Sequence, residues 1–167
     1  MAAVSEEPSV QRAVFMVVWD KFKKMWPYYI FQSVLAMVAI FIIVLVFRES
    51  FVIISSMGAT AFICFALPKG VSAQTRHVIG GHLVGLCCGA IFMLTEFPDC
   101  VEIPLAVGLA IFLMVALDVE HPPAAGTALA VAINHVVTLP SAVALMVSAL
   151  LITQCRYMMR KFLKDLL

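Results

Sequence analysis

Six apolar runs separated by short polar connectors leave this 167-residue chain few ways to fold. In hydrocarbon each backbone NH and C=O needs a partner inside the protein, so runs of this kind are expected to cross a membrane as helices. A crossing helix needs about 20 apolar residues, with a range of roughly 17 to 25. Tyr28 to Phe47, His77 to Thr95 and Ser141 to Met158 meet that length, whereas Phe51 to Leu67, Ile103 to Leu117 and Pro122 to Leu139 are short or interrupted by small and polar residues. Hydrophobic residues make up 63% of the chain and charged residues 13%, far from the balance of a water-soluble domain. The expected fold is an all-α, polytopic membrane helical bundle of about six segments. These are arranged as two inverted three-helix repeats with interrupted second and fifth helices. A four-span arrangement, in which the short segments are fused or demoted, fits the same pattern.

Sidedness follows from Lys and Arg, which accumulate in cytoplasmic loops. With the N-terminus inside and six spans, Arg12, Lys21, Lys23, Lys24, Lys69, Arg76, Arg156, Arg160, Lys161 and Lys164 share one side and Arg48 alone falls on the other. The acidic connector containing Glu96, Asp99 and Glu102 is then external. Residues 1–27 read as a cytoplasmic amphipathic N-terminal helix. In it Val14, Val18, Phe22 and Met25 recur at helical spacing opposite Lys21 and Lys24, ahead of an aromatic belt at Trp26, Tyr28 and Tyr29. Residues 28–158 form the transmembrane domain, with candidate repeats 28–95 and 103–158, and residues 159–167 a basic cytoplasmic tail. Glu6 and Glu7 precede the first Arg, unlike a secretory signal or an Arg-rich transit peptide. The expected location is a bacterial-type plasma (inner) membrane or an organelle inner membrane, multi-pass, with both termini cytoplasmic.

Several function classes are set aside by composition. The net charge of +1 and scattered basic residues give no footprint for nucleic acid. Cys64, Cys87, Cys88, Cys100 and Cys155 show no CxxC spacing and read as small apolar packers. No metal-ligand, nucleophile-elbow or phosphate-loop motif occurs, so neither a metal, a cofactor nor an enzymatic activity is expected.

The stretch Ser56-Met57-Gly58-Ala59-Thr60-Ala61-Phe62 resembles Pro123-Ala124-Ala125-Gly126-Thr127-Ala128-Leu129 at an offset of 67 residues. Each opens the middle segment of three, after Arg48-Glu49-Ser50 in one case and Asp118-Val119-Glu120-His121 in the other. Three is odd, so the halves point in opposite directions, and paired interrupted segments mark transporter binding sites. Small residues are also common in membrane helices, which gives the likeness a chance explanation. A helix that begins inside the membrane offers its first NH groups and the positive end of its dipole to an anion. Ser55, Ser56, Thr60 and Thr127 add hydroxyls, Pro122 and Pro123 suit a first helical turn, and Gly58 and Gly126 permit close approach. No carboxylate is expected within the core of a span, which favours an anion over a cation. His121 reads either as a proton-coupling or gating group or as a loop cap. Asn134 and His135 line the path or reach the far interface. Gly81, Gly85 and Gly89, with Ala124, Ala128 and Ala132, form two small-residue stripes for close helix packing. Their use is within one subunit or in a homo-oligomer.

The runs Ser56-Met57-Gly58-Ala59-Thr60-Ala61, Gln74-Thr75-Arg76-His77-Val78-Ile79-Gly80-Gly81-His82-Leu83 and His121-Pro122-Pro123-Ala124-Ala125-Gly126-Thr127-Ala128 resemble the HPP family of integral membrane proteins. The likeness covers roughly Tyr28 to Thr138. Thr75 and His77 stand where the family pattern has Pro and Asn around Arg76, and the Ala-Gly order after His-Pro-Pro is exchanged. The resemblance implies a compact helical membrane protein, commonly of four spans, with a transport role suggested by nitrite-transporting members of chloroplasts and cyanobacteria. Arg76, at the entry of the third span, then either draws anions inward or anchors the span. The expected function is transport of a small inorganic anion, nitrite foremost, with Ser55, Ser56, Gly58, Thr60, His121, Pro122, Pro123, Gly126 and Thr127 at the site and Arg76, His77, His82, Asn134 and His135 along the pathway or gate. The partners are that anion, the lipid bilayer and, in one reading, a second copy of the chain. A non-transporting membrane scaffold or regulatory subunit is the alternative.

Overall fold

The computed structural model describes residues 7–46, 51–135 and 138–167, and among these six α-helices and no strand occur. They are α1 (Glu7–Val46), α2 (Phe51–Ala66), α3 (Thr75–Met93), α4 (Asp99–Ala116), α5 (Pro122–Asn134) and α6 (Leu139–Met159), with one 3-10 turn at Val71–Ala73. Helices α1, α3, α4 and α6 are long and apolar enough to cross a membrane. Helix α2 has 16 residues and α5 has 13. At about 1.5 Å per residue these reach roughly 24 and 20 Å, short of a hydrocarbon core about 30 Å thick. The connector with Arg48, the single basic residue expected on the far side, lies outside the described residues.

Contacts between helix ends fix the direction of each helix. Arg76 at the start of α3 pairs with Asp118 just after α4 at 2.8 Å. At the other end His135, after α5, sits 3.7 Å from Asp99 at the start of α4. The Arg156 guanidinium near the end of α6 donates to Pro68 O after α2, and Leu166 N donates to Ala66 O. The helices therefore alternate in direction. The Tyr28 region of α1, the end of α2, the start of α3, the end of α4, the start of α5 and the end of α6 share what is here called the basic end.

Two expectations change. No helix boundary falls at residue 27: α1 runs through Pro27 without a break. An isolated proline removes one ladder bond and leaves the rest intact, and the apolar character on both sides sustains the helix. Its 40 residues span about 60 Å, twice the hydrocarbon core. Residues 12–24 are all exposed, with Phe15, Trp19, Phe22 and Tyr29 stacked in series at 5.9–6.3 Å between ring centres. Helix α2, expected to be interrupted at Ser55 to Gly58, is short but continuous there.

The interior divides in two. Ile43, Met57, Phe65, Leu145 and Ile152 centre one cluster on α1, α2 and α6, and Cys88, Ala110, Met114, Ala124 and Ala128 centre another on α3, α4 and α5. Gln32, fully buried, ties the basic end together. Its amide NH2 donates to Phe65 O and to Lys164 O at 2.9 Å, and its carbonyl accepts from Lys164 N at 3.1 Å. The tail is thus folded back on the bundle, with Leu163 buried and the Lys164 ammonium 4.1 Å above the Tyr28 ring. All five cysteines are free thiols, with Cys64 and Cys88 in the two clusters.

Candidate functional site

Helix α5 begins at the centre of the basic end because two prolines follow His121: they fix the helical φ and lack the NH groups that a first turn leaves unpaired. His121 is the N-cap residue, in an extended conformation. Ala124 N donates back to His121 O at 2.8 Å. The cradle of free NH groups expected at this helix start is consequently not there, since two positions have none and a third is used. Ser55 and Ser56 lie in the second turn of α2, which starts at Phe51. No helix start falls at them, because Phe51 to Ile54 already prolong the apolar helix in that direction. The positive end of the α5 dipole remains, together with the hydroxyls.

The close approach of α3 and α5 depends on glycine. A methyl group on Gly85 would overlap the Ala124 carbonyl oxygen, and one on Gly89 would stand 2.5 Å from Val131 Cβ. Opposite these glycines, Ala124, Ala128 and Ala132 are fully buried. Both small-residue stripes are therefore used within one subunit.

At this junction α2, α3 and α5 bring a chain of polar side chains together. Ser56 Oγ lies 2.8 Å from Thr127 Oγ1 and 3.0 Å from Pro123 O, and its one proton serves either acceptor. Thr127 Oγ1 is 2.9 Å from His82 Nδ1, and Thr60 Oγ1 is 2.9 Å from His82 Nε2. Thr60 Oγ1 is also 3.0 Å from His121 Nε2, while His121 Nδ1 donates to Ser72 O at 2.8 Å. The two imidazoles meet edge to face at 5.0 Å. Thr60, His82 and His121 are 0% exposed, Thr127 1% and Ser56 6%. The two residues at equal places in the resembling heptapeptides, Thr60 and Thr127, thus bind opposite nitrogens of one ring.

Beside this chain a groove of about 840 Å³ runs between α2 and α5. Of the expected site residues Ser55, Ser56, Pro122, Pro123, Gly126 and Asn134 line it. Thr60, His82, His121 and Thr127 form the polar chain behind its wall. Gly58 is exposed and has open space around it, outside the groove lining. Arg76 stands on the surface, where its pair with Asp118 is solvent-screened and of the kind worth about 0–1 kcal/mol. His77 is buried next to Glu120, with Nδ1 3.5 Å from Oε2. His135 caps α5 in the left-handed region at φ 46°, at the end opposite the basic one.

One residue was invisible to sequence reasoning. Glu102, expected in an external loop, lies in the first turn of α4, is 1% exposed, and neither carboxylate oxygen has a hydrogen-bond partner. Pro98 starts the helix at Asp99, one turn earlier than hydropathy suggests, and that turn carries Glu102 inward. The expectation of an external acidic connector is corrected to this extent: Glu102 belongs to the first turn of α4 and is buried there. Its neighbour is His135 Nδ1 at 3.7 Å. The Glu102→Gln protein should unfold at a higher temperature in detergent, by about 1 kcal/mol in stability, because an unbonded buried carboxylate costs more than an amide. The helix-dipole benefit of the charge, at most about 1 kcal/mol, is the smaller effect. A lower transition temperature would show the carboxylate to be held in an ion pair with His135.

These features define a class: a helical, multi-pass membrane protein with a hydroxyl and imidazole chain enclosed in its interior. The chain belongs to the HPP family, whose transmembrane-region model matches residues 22–163. It is similar to two proteins of Dictyostelium discoideum, each described as a transmembrane protein. One is 38% identical over 82 residues, 47% of this chain and 29% of the relative. The other is 33% identical over 103 residues, 59% of this chain and 33% of the relative. The match thus spans at most about a third of the length of either relative. No solved structure matches the chain significantly.

Proposed function

We propose that this chain moves a small inorganic anion, nitrite foremost, across its membrane through the α2–α5 junction, without a cofactor and without converting the anion chemically. The observation that carries the reading is the enclosed chain Ser56, Thr127, His82, Thr60, His121 lying against the groove. Polar side chains inside a membrane bundle are costly and mark pathways. A groove flanked by two helices too short to cross is the arrangement in which a membrane protein holds a midplane site. The choice of an anion is supported by the α5 dipole, positive toward Pro122, by the Ser55 hydroxyl, and by the absence of any carboxylate among the groove-lining residues. Glu102 lies at the other end of α5, beside His135. The 67-residue register that pairs Ser56 with Pro123 and brackets His82 between Thr60 and Thr127 supports an inverted repeat as the origin of the site. The concentration of Lys and Arg at the basic end supports a cytoplasmic placement of both described ends, in a bacterial-type or organelle inner membrane.

The second reading, a membrane scaffold, is favoured by the exposed aromatic series on α1. Flux in proteoliposomes separates the two. Nitrite, nitrate, formate, sulfate and chloride are supplied in turn, with protein-free vesicles measuring passive leak. Saturable nitrite entry above leak is expected. Folded protein that moves none of the five anions would leave the scaffold as the function.

A further inference from the structure

The polar chain has a direction. Ser72 O is a carbonyl and only accepts, so His121 Nδ1 carries a proton, and in a neutral ring Nε2 is then an acceptor. Thr60 Oγ1 has two acceptors in reach, His121 Nε2 at 3.0 Å and Ser56 O at 3.1 Å. Ser56 O is already an acceptor in the α2 ladder, whereas the ring nitrogen has no other donor, so the hydroxyl serves the ring. Having donated there, Thr60 accepts from His82 Nε2–H, which leaves His82 Nδ1 to accept from Thr127, and Thr127 to accept from Ser56. Five donors point the same way, from Ser56 to the Ser72 loop.

The ends of this series reach different places. Ser56 lies on the groove wall, ten residues, or about 15 Å along the helix, from the end of α2. Ser72 is half-buried in the 3-10 turn at the basic end. The groove continues from Ser56 along α5 to Asn134, at the opposite end.

We infer that Ser56, Thr127, His82, Thr60 and His121 form a proton relay between the groove and the Ser72 loop. A proton bound by Ser56 Oγ displaces that hydroxyl's own proton to Thr127. Thr127 passes its proton to His82 Nδ1 as Nε2–H is released to Thr60, and Thr60 passes its proton to His121 Nε2. His121 then sheds its Nδ1 proton to water at the Ser72 loop. Each O–H or N–H bond broken is matched by one formed, and one proton has moved. In the reversed chain Ser56 donates to Pro123 O at 3.0 Å, whereas His121 Nδ1 faces the Ser72 carbonyl with no proton between them, so the reversed state is the less stable of the two. Rotation of the hydroxyls and imidazoles restores the first polarity. The charged and titratable groups around the Ser72 end are His77 and Glu120, 3.5 Å apart, and the exposed pair of Arg76 and Asp118.

The relay rests on the reading of this junction as a pathway, and the test keeps the two apart. The purified full chain is placed in vesicles with a pH dye inside and a potassium diffusion potential across the bilayer, with and without external nitrite, and nitrite entry is followed separately. Protein-dependent proton movement is expected. In Thr60→Val, which keeps the shape and removes the hydroxyl, it should fall at least about tenfold, equal to about 1.4 kcal/mol on the barrier. In Thr60→Ser, which restores a hydroxyl, most of it should return. Size-exclusion and thermal unfolding establish that both variants are folded. Proton movement in folded Thr60→Val at the native rate, failure of Thr60→Ser to recover it, or no protein-dependent proton movement in the native chain would each overturn the relay. Nitrite entry without proton movement would do so while leaving anion transport standing. Proton movement without nitrite entry would support the relay and remove the anion reading.

Discussion

Gly85→Ala should weaken the bundle by about 3 kcal/mol, the upper range for overpacking in a close-packed interior, although alanine is the better helix former by about 1 kcal/mol. The added methyl meets the Ala124 carbonyl oxygen, with Thr127 Cβ next at 3.3 Å. Neither is the free end of a flexible side chain. Relief requires α5 to move bodily away from α3, and Ala124 and Ala128 are already fully enclosed. The shift would also separate Thr127 from His82, whose hydrogen bond at 2.9 Å spans the same seam. Thermal unfolding in detergent, with the aggregated fraction read by size exclusion, is the check. An unchanged transition would mean that the α3–α5 seam is looser than this geometry.

Gly126→Leu should do the reverse: leave the fold intact and stop anion entry. A Cβ added at Gly126 meets nothing within 4 Å, and the residue lines the groove. Replacing glycine inside α5 by a good helix former should add up to about 1 kcal/mol to stability. The new isobutyl group would project into the space between α2 and α5, beside Ser55 and Pro122, and nitrite flux in vesicles should drop to the leak level. Native flux in this variant would place the anion path away from the groove. The two variants change chemically identical residues 41 positions apart on helices that touch, so opposite outcomes would separate packing from passage.

Much of this was legible in the chain itself. Length and hydropathy of the apolar runs gave a polytopic helical bundle, because lipid leaves the backbone few other ways to satisfy its polar groups. The Gly81, Gly85, Gly89 stripe pointed to a close helix seam, since only a missing Cβ permits it. The three motifs carried the family, and the family model covers the same stretch. Ser56, Thr60 and Thr127 were candidate site residues for their hydroxyl donors beside expected helix starts, and His121 for an imidazole that titrates near neutral pH.

The tertiary structure decided what those partners are. His82 was a pathway candidate on a different helix, and nothing in its local sequence tells that its two nitrogens are shared between Thr60 and Thr127. Sequence spacing reports which face of one helix a residue occupies, not which residues of other helices meet it across 22 or 45 positions. The same gap hid Glu102, which one turn of helix carried from an expected loop into the interior, and it hid the fate of the α5 NH groups, used up by two prolines and a turn. Hydropathy therefore determined the solvent and the helical class, and the tertiary structure the six helices, two of them too short to cross. The bonding order of the buried hydroxyls and imidazoles, on which any directed transfer depends, exists only once α2, α3 and α5 are brought to within hydrogen-bond distance.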